Sequence, residues 1–325
     1  MLDNIVLKKQ KAINAMNNYG LQRRPFLFLV DFEMDNSFVV SCDELTEYGI
    51  EYSIGSTESN LSSKEIEFQI QPIDFTLYSI AFDYVIKQIT LGNSYLTNLT
   101  FPTKIKTNLT LDDIFVFSRA KYKLLFQNKF VVFSPECFVK IEYGVISSYP
   151  MKGTIDAAIP NAEKIILSDE KETAEHTTIV DLIRNDLSIA AKNVRVERFR
   201  YIDRIETNKK SLLQVSSKIV GELGADYNSK LGDIIFSMLP AGSISGAPKK
   251  KTVEIIQSAE KTKRGFYTGV FGYYDGNNLD SAVMIRFIEN TQEGLFYRSG
   301  GGITFMSNVK SEYQELIDKI YVPFT

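Results

Sequence analysis

Apolar residues recur along this chain in two periods, that of a helix and that of a strand, and the two alternate irregularly. Residues 1–22 set Ile5, Ile13 and Met16 among lysines, the spacing of an amphipathic helix. The run from Pro25 through FLFLVDFE to Met34 then reads as a buried strand, with SFVVSC (37–42) as its neighbour. Further on, YSIG and EIEFQIQPI within residues 43–74 alternate as half-buried strands do. Residues 78–92 return to helical spacing and stop at Gly92, a residue that suits a helix C-terminus. SYLTNLT (94–100) predicts a strand ending before Pro102, and LTLDDIFVFSRAKY (109–122) a helix. RGFYTGVFGYYD (264–275) and SAVMIRFIE (281–289) read as adjacent strands.

Strands predominate and short loops join them, which predicts an α+β architecture of antiparallel sheets with surrounding helices rather than a parallel βαβ sheet. There is no internal repeat, low-complexity tract or linker. The reading divides the chain into a short N-terminal subdomain, residues 1–74, packed on a catalytic domain of residues 75–325.

One stretch carries chemistry beyond its fold. Residues 134–154, SPECFVKIEYGVISSYPMKGT, read as a short strand ending in a carboxylic acid, a turn at Tyr143-Gly144, a second strand, and a lysine in a Pro-Met-Lys-Gly-Thr corner. A hairpin folds Glu136 and Lys152 back towards each other. The pair is either a solvated ion pair or an acid beside an amine nucleophile.

Acids on two predicted helices widen the picture. Glu172, Glu175 and His176 share one face of the helix 171–191, and the same face continues into apolar Ile179 and Ile183. Unpaired carboxylates are costly on such a stripe. They either complement the helix dipole or meet a cation. In SEYQELIDKI (311–320), Glu312, Glu315 and Lys319 again share a face, with Glu315 and Lys319 spaced as an i, i+4 pair. Two helices that each present Glu-x-x-Glu can clamp one Mg²⁺, two carboxylates binding directly and two through water.

The glycine-rich corners are not nucleotide loops. AGSISGAPKKK (241–251) lacks the Gly-Lys-Ser/Thr of a phosphate loop, and Pro248 instead starts a helix, with Ser243 and Ser245 near its N-terminus. RSGGGIT (298–304) is either a plain tight turn or a place where backbone N–H groups approach a ligand. Arg286, between Met284-Ile285 and Phe287-Ile288, is a charge in an apolar strand and calls for an anion; its fork suits a carboxylate.

Composition narrows the field. A net charge of −3 offers no basic field for nucleic acid. One histidine and two distant cysteines exclude the usual zinc sites, so any metal is a hard cation held by carboxylates. No apolar run approaches the roughly 20 residues of a membrane helix, and no secretory leader is evident, so a cytoplasmic location is expected. Together these features describe a site for a small dicarboxylate.

The motifs GNSYLTNLT, SPECF, PMKGT, EHTTIVDLIRNDLS, LPAGSISGAPK, RGFYTGVFGYYD, MIRF, SGGGIT and SEYQELIDK, in this order over residues 75–325, resemble those of the chorismate-utilising enzymes. That family includes the anthranilate, isochorismate, salicylate and aminodeoxychorismate synthases. The resemblance implies chorismate as substrate and Mg²⁺ as cofactor, with Glu175 and Glu315 as direct ligands and Glu172 and Glu312 in the outer sphere. It implies Glu136 as general acid, Lys152 as nucleophile with an amine pKa depressed by burial, and His176 beside the reacting ring. Tyr267 and Arg286 match the grip on the enolpyruvyl carboxylate; Thr154, Ser243, Gly300, Gly301, Gly302 and Lys319 complete the substrate contacts. Lys152 follows the pattern of the branch that aminates chorismate at C4, for p-aminobenzoate and folate synthesis, whereas anthranilate synthases carry Ala in this corner. The same resemblance implies a glutamine amidotransferase subunit, or free ammonia, as the nitrogen source. Leu96, Phe287 and Ser188 depart from the family pattern, and Leu96 replaces the polar group found there in the water-using and amine-using branches. Anthranilate synthase component I and a non-catalytic chorismate-binding paralogue are the alternative readings.

Overall fold

The computed structural model describes residues 5–55, 65–206 and 211–324. In chain order the elements are α1 (Lys9–Leu21), β1 (Phe26–Val30), β2 (Ser37–Ser41), β3 (Ile50–Ile54), β4 (Phe68–Gln71), α2 (Phe75–Thr90), β5 (Leu96–Thr107), α3 (Leu111–Phe117), β6 (Tyr122–Phe126) and β7 (Phe130–Ser134). There follow β8 (Cys137–Glu142), β9 (Val145–Ser148), β10 (Met151–Asp156), α4 (Ala162–Ser168), α5 (Glu170–Ala190), β11 (Lys192–Glu206), β12 (Ser211–Glu222) and α6 (Leu231–Met238). The chain closes with β13 (Gly246–Ala247), α7 (Lys249–Glu260), β14 (Val270–Tyr274), β15 (Leu279–Val283), β16 (Phe287–Thr291), β17 (Gly294–Ile303) and α8 (Val309–Asp318).

The strands form two antiparallel sheets. A nine-stranded sheet runs β10-β12-β9-β8-β15-β14-β1-β2 with β11 also on β12, and an eight-stranded sheet runs β13-β5-β17-β16-β7-β6-β3 with β4 on β5. The α+β expectation therefore holds. β1 explains the continuous apolar run FLFLV: every residue of it is buried. Leu27 and Leu29 face the second sheet, joining Leu124, Phe126 and Phe130, while Phe26, Phe28 and Val30 face the helices α1 and α6. A strand covered on both faces has no reason to alternate. On the far side of the second sheet, α2, α7 and α8 pack on β5 and β17 through Phe82, Val85, Leu99, Ile255 and Leu316.

Several expected boundaries move. Residues 26–54 supply β1 and β2 to the first sheet and β3 to the second, and β4 pairs with β5, so neither sheet breaks at residue 74. Helix α1 starts at Lys9, leaving Ile5 outside it. Helix α2 begins at Phe75 because Asp74 caps it, accepting from the Thr76 and Leu77 amides; Gly92 follows its C-terminus at φ 76°. The strand expected to end before Pro102 continues to Thr107. Pro102 lies where only β17 pairs with β5, between the stretches taken by β13 (Leu96–Thr97) and β4 (Lys104–Thr107), so its missing N–H faces no third strand. Helix α3 stops at Phe117, and Tyr122 already belongs to β6.

The segment SAVMIRFIE is two strands, not one. β15 lies in the first sheet and β16 in the second, and the chain crosses between them at Arg286, whose φ is 53°. The glycine triplet is neither a turn nor a loop: Gly300, Gly301 and Gly302 lie within β17, paired with Thr100, Leu99 and Asn98.

Candidate active site

The β8–β9 hairpin forms as the sequence predicts. Tyr143 and Gly144 both take positive φ (51° and 79°), and Glu142 faces Val145 and Lys140 faces Ser147 in register. Glu136 immediately precedes β8, with its carbonyl accepting from the Val283 amide. Beyond Pro150 the chain enters β10, where a register shift between Lys152 and Thr154 coincides with Gly153 at φ 76°. Glycine is needed there twice over, since a Cβ at 153 would also lie 3.1 Å from Glu172 Oε2. Thr154, beyond the shift, is exposed.

Glu136 accepts a hydrogen bond from Ser243 Oγ at 2.5 Å. Burial raises its carboxyl pKa, against the opposing pull of that hydrogen bond and of the charges on Lys152, Arg286 and Lys319. The hairpin therefore does bring Glu136 and Lys152 within electrostatic reach.

Lys152 Nζ lies 3.0 Å from Glu175 Oε2 on α5. The amine was expected to be depressed, but it is raised. Burial pulls its pKa down, yet Glu175, Glu315 and Glu172 together outweigh burial and hold the proton. The acids of α5 and α8 thus converge on one ammonium. On α8, Glu312 is buried, and Lys319 bridges Glu315 (2.6 Å) and the Gly300 carbonyl (2.9 Å). Gly301 leaves room beside these acids: a Cβ there would sit 3.4 Å from Glu312 Oε2 and 3.5 Å from Glu315 Oε1. The donors are all hard oxygens, as a divalent cation such as Mg²⁺ prefers. Among the described residues no three of them gather closely enough to form a finished cage.

Arg286 sits half-buried at the crossing between the sheets, its guanidinium 5.1 Å from the Tyr321 ring centre and near the buried Tyr267 and Tyr297. Among the described residues no carboxylate forms an ion pair with it. Tyr267 packs edge-on against Phe287, and burial pushes its phenol up to about 12.

His176 is enclosed. Its ring is 1% exposed, edge-on to Phe199, with Nε2 2.7 Å from Ser217 Oγ and Nδ1 without a partner. Burial and the charges of Arg200 and Lys152 lower its pKa to about 4, so the ring is neutral.

Lys152 and Glu175 open onto a cavity of about 420 Å³ whose walls include Leu96, Ile179, Phe305 and Met306. Leu96 faces Gly302 in this wall. Glu136 and Ser243 line a second, narrow cavity of about 20 Å³. Tyr267, Arg286, His176 and the three glycines line neither of these two spaces.

Two buried ion pairs escaped the sequence reading. Arg264 is bidentate to Glu260 (2.9 and 2.6 Å) and donates to the Ile244 and Asn98 carbonyls, while Glu260 also accepts from the Thr100 amide and hydroxyl. Asp186 pairs with Lys249 at 2.6 Å and accepts from the Gly242 amide. A signal for Asp186 was present. It extends by three residues the stripe of Glu172, Glu175, Ile179 and Ile183.

Comparison with known proteins points to one family. A family profile described as chorismate binding enzyme matches residues 20–324. An uncharacterized PabA-like protein of Haemophilus influenzae is 50% identical over 97% of both chains. Anthranilate synthase component 1 of Mycobacterium bovis is 30% identical over 94% of this chain and 61% of its own length. Among solved structures, anthranilate synthase component I of Streptococcus pneumoniae superposes with a TM-score of 0.64 at 25% identity, covering 80% of this chain and 60% of that one. A putative isochorismate synthase of Bacillus anthracis shares the fold, with a TM-score of 0.71 at 18% identity over 96% and 86% of the two chains.

Proposed function

This chain belongs to the family of chorismate binding enzymes, and from that premise we propose that it aminates chorismate at ring C4 to give 4-amino-4-deoxychorismate. One observation supports the choice of product. The PMKGT corner presents the Lys152 amine on the wall of the large cavity, within reach of a bound ring, which favours its reading as the nucleophile.

In this reading Lys152 Nζ attacks C2, the two ring double bonds shift from C1=C2 and C5=C6 to C1=C6 and C4=C5, and the C4–O bond breaks as Glu136 protonates the departing hydroxyl. Ammonia then adds at C4, both double bonds shift back, and the C2–N bond breaks with its electron pair returning to Lys152. The proton shed by ammonia restores Glu136. Chorismate and ammonia are consumed; 4-amino-4-deoxychorismate and water are formed. Attack needs the neutral amine, so the proton that the carboxylates hold on Nζ leaves before the C2–N bond forms. Leu96 gives the cavity wall no group that activates water, which supports ammonia as the entering nucleophile. By the family resemblance Arg286 and Tyr267 would hold the enolpyruvyl carboxylate, and Gly300, Gly301 and Gly302, with Thr154 and Lys319, would border the ring. His176, enclosed against Ser217 and Phe199, supports the site from behind and does not reach the substrate.

Glu175 and Glu315 would bind Mg²⁺ directly, with Glu172 and Glu312 through water. The ion would supply positive charge to the substrate's ring carboxylate. A glutamine amidotransferase subunit, or free ammonia, would supply the nitrogen.

The protein incubated with chorismate, ammonium and Mg²⁺ is expected to release a 4-amino product, identified by mass and chromatography. Lys152→Ala should lose it or divert to anthranilate, and chelation of the metal should stop turnover. Anthranilate from the unaltered protein would overturn the role given to Lys152.

A further inference from the structure

Ser243 reaches Glu136 from a single 3₁₀ turn, Gly242–Ile244, whose backbone bonding is weak and which the Ser245 hydroxyl closes by donating to the Ala241 carbonyl at 2.8 Å. Its own backbone hydrogen bonds are long, 3.4 Å from Ile244 to Ala241 and 3.3 Å from Ser245 to Gly242. Such a turn takes its position from what grips it. At its exit, Arg264 Nη1 donates to the Ile244 carbonyl at 2.9 Å. At its entry, the Gly242 N–H donates to Asp186 Oδ2 at 3.1 Å, an approach that a side chain at 242 would block, since a Cβ there would lie 2.8 Å from that oxygen.

Asp186 is itself fixed. Its Oδ1 pairs with Lys249 Nζ at 2.6 Å, and the same ammonium donates to the Met238 carbonyl at 2.7 Å. Asp186, Gly242, Ser243 and Glu136 all line the narrow cavity of about 20 Å³. A continuous chain of contacts therefore runs from α5 to the carboxyl of Glu136.

We propose that Asp186 is a positioning residue for the acid step: through the Gly242 amide it places the Ser243 hydroxyl on Glu136. This rests on Glu136 as the group that protonates the departing hydroxyl, and not on which product forms afterwards.

The groups that face Glu136 are Lys152 from β10, Arg286 from the β15–β16 crossing, Lys319 from the end of α8, Ser243 and, in the same narrow cavity, Asp186 from α5, whose charge Lys249 pairs. The three cations and the hydroxyl all favour the carboxylate, against burial. Removing the hydroxyl leaves the cations in place, so the protonated acid is favoured further.

The test uses the full chain with ¹³C-carboxyl-labelled glutamate, the Glu136 signal being assigned by its loss in Glu136→Gln. Ser243→Ala and Asp186→Ala are each expected to raise the Glu136 midpoint by about half a unit to one unit, and the double variant to match the single ones. In turnover, Asp186→Ala should move the alkaline limb of the rate up by the same half unit to one unit. The plateau kcat below that limb should fall about tenfold with KM for chorismate little changed, because the carboxylate formed as the proton is given up has lost its hydrogen bond. Asp186→Asn, which keeps an oxygen for the Gly242 amide, should recover part of that kcat. An unchanged midpoint in Asp186→Ala, or shifts that add in the double variant, would overturn the proposal and leave Asp186 a brace of the fold. Should Asp186→Ala not fold, Lys249→Met, which frees Asp186 from its ion pair, is titrated in its place under the same criteria. The titration needs no turnover. A protein that releases anthranilate, or no product, therefore tells against the proposed function alone, whereas a flat titration beside a 4-amino product tells against Asp186 alone.

Discussion

Glu136 is half-buried and His176 buried, and desolvation moves each towards its neutral form. In the proposed mechanism the neutral form of Glu136 is the working acid, and its protonated fraction falls as pH rises through its pKa. Because that pKa lies above the ordinary 4.5, chorismate turnover should decline on the alkaline side of a midpoint higher than 4.5. Glu136→Gln should abolish this limb and lower the rate by about 10²-fold or more, as read from initial rates across pH. For His176 the consequence is structural. Ser217 Oγ accepts from the Arg200 amide and meets His176 Nε2, so Ser217→Ala leaves two buried polar groups unpaired. A loss of about 1–3 kcal/mol is expected, seen as a lower urea midpoint at unchanged slope.

At the scale of elements, the loop and helix that follow α6 are tied to β5 by the buried Arg264–Glu260 pair. That pair satisfies groups from three separate segments: Thr100 and Asn98 on β5, Ile244 in the 3₁₀ turn, and Thr268 before β14. Its net contribution to stability is small if both charges are desolvated, but breaking it strands one of them. Glu260→Gln should therefore destabilise by about 3 kcal/mol or more, measured by denaturant unfolding, and should loosen the Ser243 turn as well. An unchanged midpoint would mean that Arg264 finds another acceptor.

For the whole molecule, the decisive feature is that both sheets recruit strands from the N-terminal third. β1 lies between β14 and β2 with both faces covered, and β3 covers β6. We expect residues 75–325 alone to lack a cooperative unfolding transition and near-ultraviolet dichroism, because the apolar faces of β14 and β6 would lose their partners. Cooperative unfolding of that fragment would restore the division at residue 74. No helix among the described residues is long and apolar enough to cross a membrane.

Much of this was legible in order along the chain. The period-2 and helical runs located most elements, the Tyr143-Gly144 turn dictated its hairpin, and the i, i+3 spacing of the acids on α5 and α8 put each pair on one face; these are local properties of the backbone. Tertiary structure alone decided the rest. Pairing on only one side let β5 run through Pro102, and the crossing between sheets split the Arg286 segment into two strands. Whether Lys152 loses or keeps its proton depended on carboxylates 20 and more residues away, converging from two helices. The same holds for Asp186 and Arg264. A buried charge is recognisable in a sequence only once its partner is known, and here the partners were brought together by the fold.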